Sequence, residues 1–188
     1  NLLVLTGGNL EVWGDNIKSN LNHKRTVLVV AGGGLFNQRL VEEGENVVDP
    51  HVWLSPLLAE EMANKILSGF QASDPVNTSY YATNAEALSN DLKNLNADYS
   101  AGLKNCALKD IITSHAFFGY LAATYSLRQI SIAGLSPDAE PSSKEIGVIV
   151  KFAKENKVKY IFFESLVNPK LSETIATEIE AKTLVLNP

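Results

Sequence analysis

The chain has 188 residues, enough for one large domain or two smaller lobes with separate cores. Hydrophobic residues make up 45% and charged residues 20% of it, the composition of a folded globular protein. A formal net charge of -5 at pH 7 argues against a nucleic-acid partner, and the single cysteine, Cys106, excludes an internal disulfide and a cysteine-built zinc cluster.

No apolar run approaches the ~20 residues of a membrane-spanning helix. The first residues, Asn1 to Leu5, already read as strand, and Asn187-Pro188 follow directly on another strand pattern. The expectation is therefore that both ends of a longer protein lie outside this chain.

Short leucine-rich and β-branched runs recur at Leu2 to Thr6, Val27 to Ala31, Ile111 to Thr113, Gln129 to Ile132, Val158 to Phe163 and Thr183 to Leu186. Each predicts a buried strand, because the apolar residues are continuous and not alternating. Helical periods lie between them at Pro56 to Phe70, Phe117 to Tyr125, Ser143 to Glu155 and Pro169 to Glu178. Strand then helix, repeated, predicts an α/β fold with mostly parallel sheets. Asn168-Pro169 reads as an N-cap followed by proline at the first helical position.

From about Val76 to Leu103 the pattern changes. Tyr81, Ala85, Leu88, Leu92, Leu95, Tyr99 and Leu103 recur every three or four residues, predicting one apolar stripe along a single long helix. The expected organisation is an N-terminal lobe over 1–74, a long rigid connecting helix over 75–103 and a C-terminal lobe over 104–188.

Three histidines are present. His23, in the polar run Asn22-His23-Lys24-Arg25, reads as a solvated surface residue. His51 stands in Asp49-Pro50-His51-Val52-Trp53, before a helix, and His115 in Thr113-Ser114-His115-Ala116-Phe117, directly after a strand. The carboxyl ends of parallel strands and the starts of the helices that follow are where α/β folds bind ligands. Either histidine alone reads as a capping or core residue; the two together, one per predicted lobe, read as a pair of imidazole donors for zinc or a related first-row ion.

A closed zinc site takes four ligands, so carboxylates come next. Glu164, at the end of the strand Tyr160-Ile161-Phe162-Phe163, is the first candidate, as a residue close to the metal. Its plain alternative is a solvated strand end. Glu140 lies in a proline-bounded loop, and Asp49 before Pro50 reads as a turn-fixing residue. Gly32-Gly33-Gly34 lacks the spacing of a phosphate loop, and Ser114 beside His115 is no nucleophile motif. No enzyme constellation is visible.

The motifs Gly7-Gly8-Asn9-Leu10-Glu11-Val12-Trp13, Asp49-Pro50-His51-Val52-Trp53-Leu54-Ser55-Pro56, Ser114-His115-Ala116-Phe117-Phe118-Gly119-Tyr120, Leu135-Ser136-Pro137-Asp138-Ala139-Glu140-Pro141-Ser142 and Phe162-Phe163-Glu164-Ser165-Leu166-Val167-Asn168-Pro169-Lys170-Leu171 run in order across nearly the whole chain. In them the sequence resembles the zinc solute-binding proteins of bacterial ABC transporters, a metal-receptor group that also takes manganese and iron. The resemblance implies two α/β lobes joined by one long rigid helix, with Zn²⁺ in the cleft between them. It implies His51 and His115 as the second and third ligands in chain order, with a first ligand upstream of Asn1 and a fourth beyond Pro188. It further implies a monomeric, non-enzymatic receptor on the periplasmic or outer face of the cytoplasmic membrane, lipid-anchored through an upstream segment, whose partner is the membrane permease of the importer.

Histidine at position 115 resembles the zinc members more than most Mn²⁺ members, and nitrogen donors suit zinc better than the harder ion. Some zinc members carry a long histidine-rich loop ahead of the second ligand; here Phe36 to Val48 is short and has no histidine. A manganese or iron receptor, a metal-dependent α/β enzyme and an adhesin stand as the other readings.

Overall fold

The computed structural model describes residues 1–42, 44–136, 141–166 and 168–187. The chain divides into two compact units, one made of Asn1–Arg39 with Val48–Gly102 and the other of Leu40–Val47 with Leu103–Pro188.

In the first unit, β1 (Leu2–Leu5) and β2 (Val27–Val30) pair in parallel, Leu2 opposite Val27 and Leu5 opposite Val30. Helix α1 (Gly14–Asn20) lies in the crossover between them. Its seven residues hold one large apolar side chain, Ile17, which is too little for a helical period to show in the sequence. Helix α2 (Pro56–Ser73) starts on its proline, whose missing N–H costs nothing at a first turn, and packs on β1 and β2. Gly69 makes that packing possible, since a Cβ there would come within 2.4 Å of Val29 Cγ2.

Helix α3 (Thr78–Leu103) is the long helix that the spacing predicts. Its start is tied back to the end of α2: Asp74 Oδ2 accepts from Asn77 Nδ2 and from the Tyr81 hydroxyl, both at 2.7 Å, and the Tyr81 ring lies 4.9 Å from that of Phe70. The inward face differs from the expected stripe. None of its residues is fully buried, and the half-buried positions include Ala85, Ser89, Leu92, Asn96, Tyr99 and Leu103, while Leu88 and Leu95 are 47% and 43% exposed. The turn is set by polar contacts with α2: Glu60 Oε1 accepts from Ser89 Oγ at 2.5 Å and meets Lys93 Nζ at 3.2 Å.

A hairpin that no apolar run predicts, β3 (Arg39–Glu42) and β4 (Glu45–Val48), turns at Gly44 with φ +85 and has its middle in the second unit. Its charged ends and short strands hid it. Glu42 Oε1 accepts from Leu135 N at 2.5 Å within that unit.

The main sheet of the second unit is four-stranded and parallel, from β5 (Asp110–Thr113), β6 (Arg128–Ser131), β7 (Tyr160–Phe163) and β8 (Lys182–Val185) in the order β6-β5-β7-β8. Burial is complete only toward its middle: Ile112, Thr113 and Ile161 are inaccessible, while Leu184 and Val185 on the outermost strand are exposed. Helices α4 (Gly119–Thr124), α5 (Ser143–Glu155) and α6 (Lys170–Glu178) connect the strands. The core joins Ile112, Ile132 and Ile161 of the sheet layer to Ile149 and Ala153 of α5 and Ile175 of α6.

The α5 start is a capping box one residue earlier than Ser143: Ser142 Oγ accepts from Glu145 N and Glu145 Oε2 accepts from Ser142 N. At α6, Asn168 Oδ1 accepts from Lys170 N at 3.0 Å, and Pro169 sits just before the first helical residue. Among the described residues no helix is long and apolar enough to cross a membrane.

Candidate metal centre

In the first unit the site begins where β4 ends. Asp49 is fully buried and its N–H donates to Gln38 O at 3.1 Å, which fixes the turn before Pro50. A single carboxylate oxygen, Asp49 Oδ1, then meets His51 twice, accepting its backbone N–H at 2.9 Å and lying 2.8 Å from ring Nδ1. A carboxylate has no proton to give, so the imidazole carries its proton on Nδ1 and presents a lone pair at Nε2. The Trp53 ring packs 5.3 Å from the imidazole, and a 3₁₀ turn, Val52–Leu54, leads into α2 with Val52 and Ser55 buried beneath it.

In the second unit His115 follows β5. Its backbone is held from several sides: its carbonyl accepts from Thr113 Oγ1 at 2.7 Å and from Gln129 Nε2 at 3.2 Å, and the next residue, Ala116, donates to Gly134 O at 2.8 Å. The Phe117 ring, itself inaccessible, covers the imidazole at 4.5 Å. The parallel register pairs Thr113 with Phe162, so two steps further along each chain His115 faces Glu164. Glu164 Oε1 lies against His115 Nδ1, with both residues buried, and Ser114 Oγ approaches the same oxygen at 3.5 Å.

The structure thus brings His115 and Glu164 together and sets Asp49 on His51, a ring contact that the sequence reading missed. The signal was available: an Asp two residues before a histidine across Pro50 can reach both its backbone and its ring. His23 is exposed in a turn, as expected of a solvated histidine. Glu140 lies outside the described residues. In neither unit do three or more His, Cys, Asp or Glu side chains gather into a metal cage among the described residues. Two of the glycines after β2 are engaged by the fold: Gly33 O accepts from Lys65 Nζ, and the Phe36 ring fills the space where a Gly32 side chain would stand.

The glycine turn after β1 is built by Glu11, whose carboxylate accepts from Thr6 N at 2.7 Å and Gly7 N at 2.9 Å. Burial disfavours its charge, but these amides outweigh burial and hold the carboxyl below its ordinary pKa.

Two buried imidazoles, each with a carboxylate on Nδ1, form the arrangement in which proteins present histidine to zinc. The chain belongs to the zinc-uptake complex component A periplasmic family (ZnuA), which it matches over residues 1–188. It is 37% identical over 197 residues to the high-affinity zinc uptake system protein ZnuA of Bacillus subtilis (strain 168), covering 99% of this chain and 62% of that protein. It is 34% identical over 205 residues to the zinc-binding protein AdcA of Streptococcus pyogenes serotype M6, covering 98% of this chain and 40% of that protein. Among solved structures, a mutant of the laminin-binding adhesin Lmb from Streptococcus agalactiae superposes with a TM-score of 0.91 at 35% identity, over 100% of this chain and 71% of that one. The chain therefore spans less than two thirds of the curated relatives just described.

Proposed function

We propose that this chain is the metal-capturing part of a zinc receptor that works outside the cytoplasmic membrane and passes Zn²⁺ to the membrane permease of an ABC importer. The observation that carries the reading is the buried state of His51 and His115 with a carboxylate at Nδ1 of each, which leaves Nε2 as the donor atom. Neutral imidazole is a strong ligand for zinc, and a nitrogen-rich set favours it over Mn²⁺. Glu164 is proposed as a member of the same centre. Membership of a zinc-uptake family supports a receptor over an enzyme. A monomer is the working state proposed for it.

Calorimetric titration of the protein with Zn²⁺ tests the reading. Wild type should bind one ion, and His51→Ala and His115→Ala should each weaken binding by at least about 100-fold, the loss of a directly bonded donor. Unchanged affinity in both variants would end the ligand assignment. Competition with Mn²⁺ should leave zinc bound.

A further inference from the structure

Glu164 could serve a bound ion in two ways: by bonding to it, or by holding the histidine that does. The geometry decides between them. Glu164 Oε1 meets His115 at Nδ1, where the register of β5 and β7 brings the two strand ends side by side. That contact needs a proton on Nδ1, which places the lone pair of the ring on Nε2. An ion bonded at about 2.0 Å from Nε2 sits beyond the opposite edge of the imidazole from the Glu164 oxygen. The carboxylate turned toward Nδ1 is thus turned away from where the ion must bind.

His51 repeats the scheme independently. Its Nδ1 is likewise met by one carboxylate oxygen, from Asp49 at 2.8 Å, although that partner comes from two residues upstream and not from a neighbouring strand. A carboxylate at Nδ1 is therefore built twice with different backbone means.

Resting on the zinc reading above, we infer that Glu164 is a positioning residue for His115 and not a zinc ligand: it fixes the tautomer and rotation of the ring so that Nε2 faces the ion. The tilted Phe117 ring at 4.5 Å and the hydrogen bonds to the His115 carbonyl hold the residue from other sides, while the carboxylate meets ring Nδ1 itself.

Three measurements test this. In the metal-free protein, imidazole nitrogen shifts by NMR should show His115 protonated at Nδ1 and bare at Nε2 in wild type, and a mixture of tautomers in Glu164→Ala. Zinc affinity should fall about 10- to 100-fold in Glu164→Ala, the usual loss when an outer partner of a ligand is removed, while Glu164→Gln, whose amide oxygen still accepts from Nδ1, stays within about threefold of wild type. X-ray absorption at the zinc edge should give the same number of nitrogen and oxygen neighbours in wild type and Glu164→Gln. The inference is overturned if Glu164→Gln weakens zinc as much as Glu164→Ala, or if it loses an oxygen neighbour. It is also overturned if wild-type His115 carries its proton on Nε2. A wild type that takes up no zinc would remove the receptor reading alone, because the tautomer measurement still decides the Glu164–His115 pairing.

Discussion

Asp49 grips His51 at two points through one oxygen, the backbone N–H at 2.9 Å and the ring Nδ1 at 2.8 Å. Main chain and side chain of the histidine are therefore positioned by the same group, and removing it frees both. Asp49→Ala is expected to weaken zinc binding about 10- to 100-fold, with Asp49→Asn closer to wild type because its amide oxygen can still accept. Calorimetric titration of the two variants separates them; equal losses would show that the charge, and not the hydrogen bond, matters.

Zinc bonds to imidazole only when the bonding nitrogen has no proton, so protons and zinc compete for His51 and His115. Zinc affinity should fall as the solution is acidified and recover on return to neutrality. Affinities measured across a pH series, with circular dichroism as a check on folding, test the expectation.

Acid should also act on the fold through Glu11. A carboxyl held below its ordinary value in the folded state takes up its proton later than the same group in the unfolded chain. Its stabilising contribution is intact above the unfolded value, near about 4.3 for glutamate, and is lost as the pH falls through the lower folded value. Urea midpoints should therefore be lower for Glu11→Gln than for wild type near neutrality, and the gap should close in acid.

The Phe36 ring lies across glycines from two loops. A Cβ at Gly32 would come within 2.4 Å of Phe36 Cζ and 2.8 Å of Thr6 O, and one at Gly8 within 2.8 Å of Phe36 Cε1. Gly32→Ala is expected to cost about 1–3 kcal/mol of stability through overpacking. Combining it with Phe36→Leu should restore only part of the loss, since the Thr6 carbonyl stays in place. Thermal and urea unfolding of the single and double variants would check both statements.

On α3 the half-buried Leu92 and the exposed Leu88 give opposite expectations. Leu92→Ala should cost about 1–2 kcal/mol, and Leu88→Ala no more than about 0.5 kcal/mol. Comparable losses would mean that the helix is rotated from the face described.

The alternation of strands and helices was legible in the sequence because parallel strands are marked by short apolar runs and the helices between them by their apolar period, as over Ser143 to Glu155. The two histidine motifs were legible for the same reason: each sits at the junction of an element that can be read. The contacts that tune those histidines divide by distance along the chain. Asp49 is a near neighbour of His51, whereas Glu164 reaches His115 only because β7 lies beside β5, and strand order is not written locally. The rotation of α3 was hidden because Ser89, a polar residue, takes an inward place by hydrogen bonding to Glu60. Helix α1 and the β3–β4 hairpin were too short and too polar to leave a periodic trace.

The hairpin has a further consequence. Since residues 40–47 belong to one unit while their neighbours on both sides belong to the other, the backbone passes between the units three times, at 39–40, 47–48 and 102–103. Cutting the long helix would leave the hairpin on the N-terminal fragment and the rest of its unit on the C-terminal one, joined only by non-covalent contacts such as Glu42 with Leu135. Neither unit is a cassette that can be lifted out with a single splice: a chimera with a relative must exchange the hairpin together with everything after α3, or sever Glu42 from Leu135 in the process.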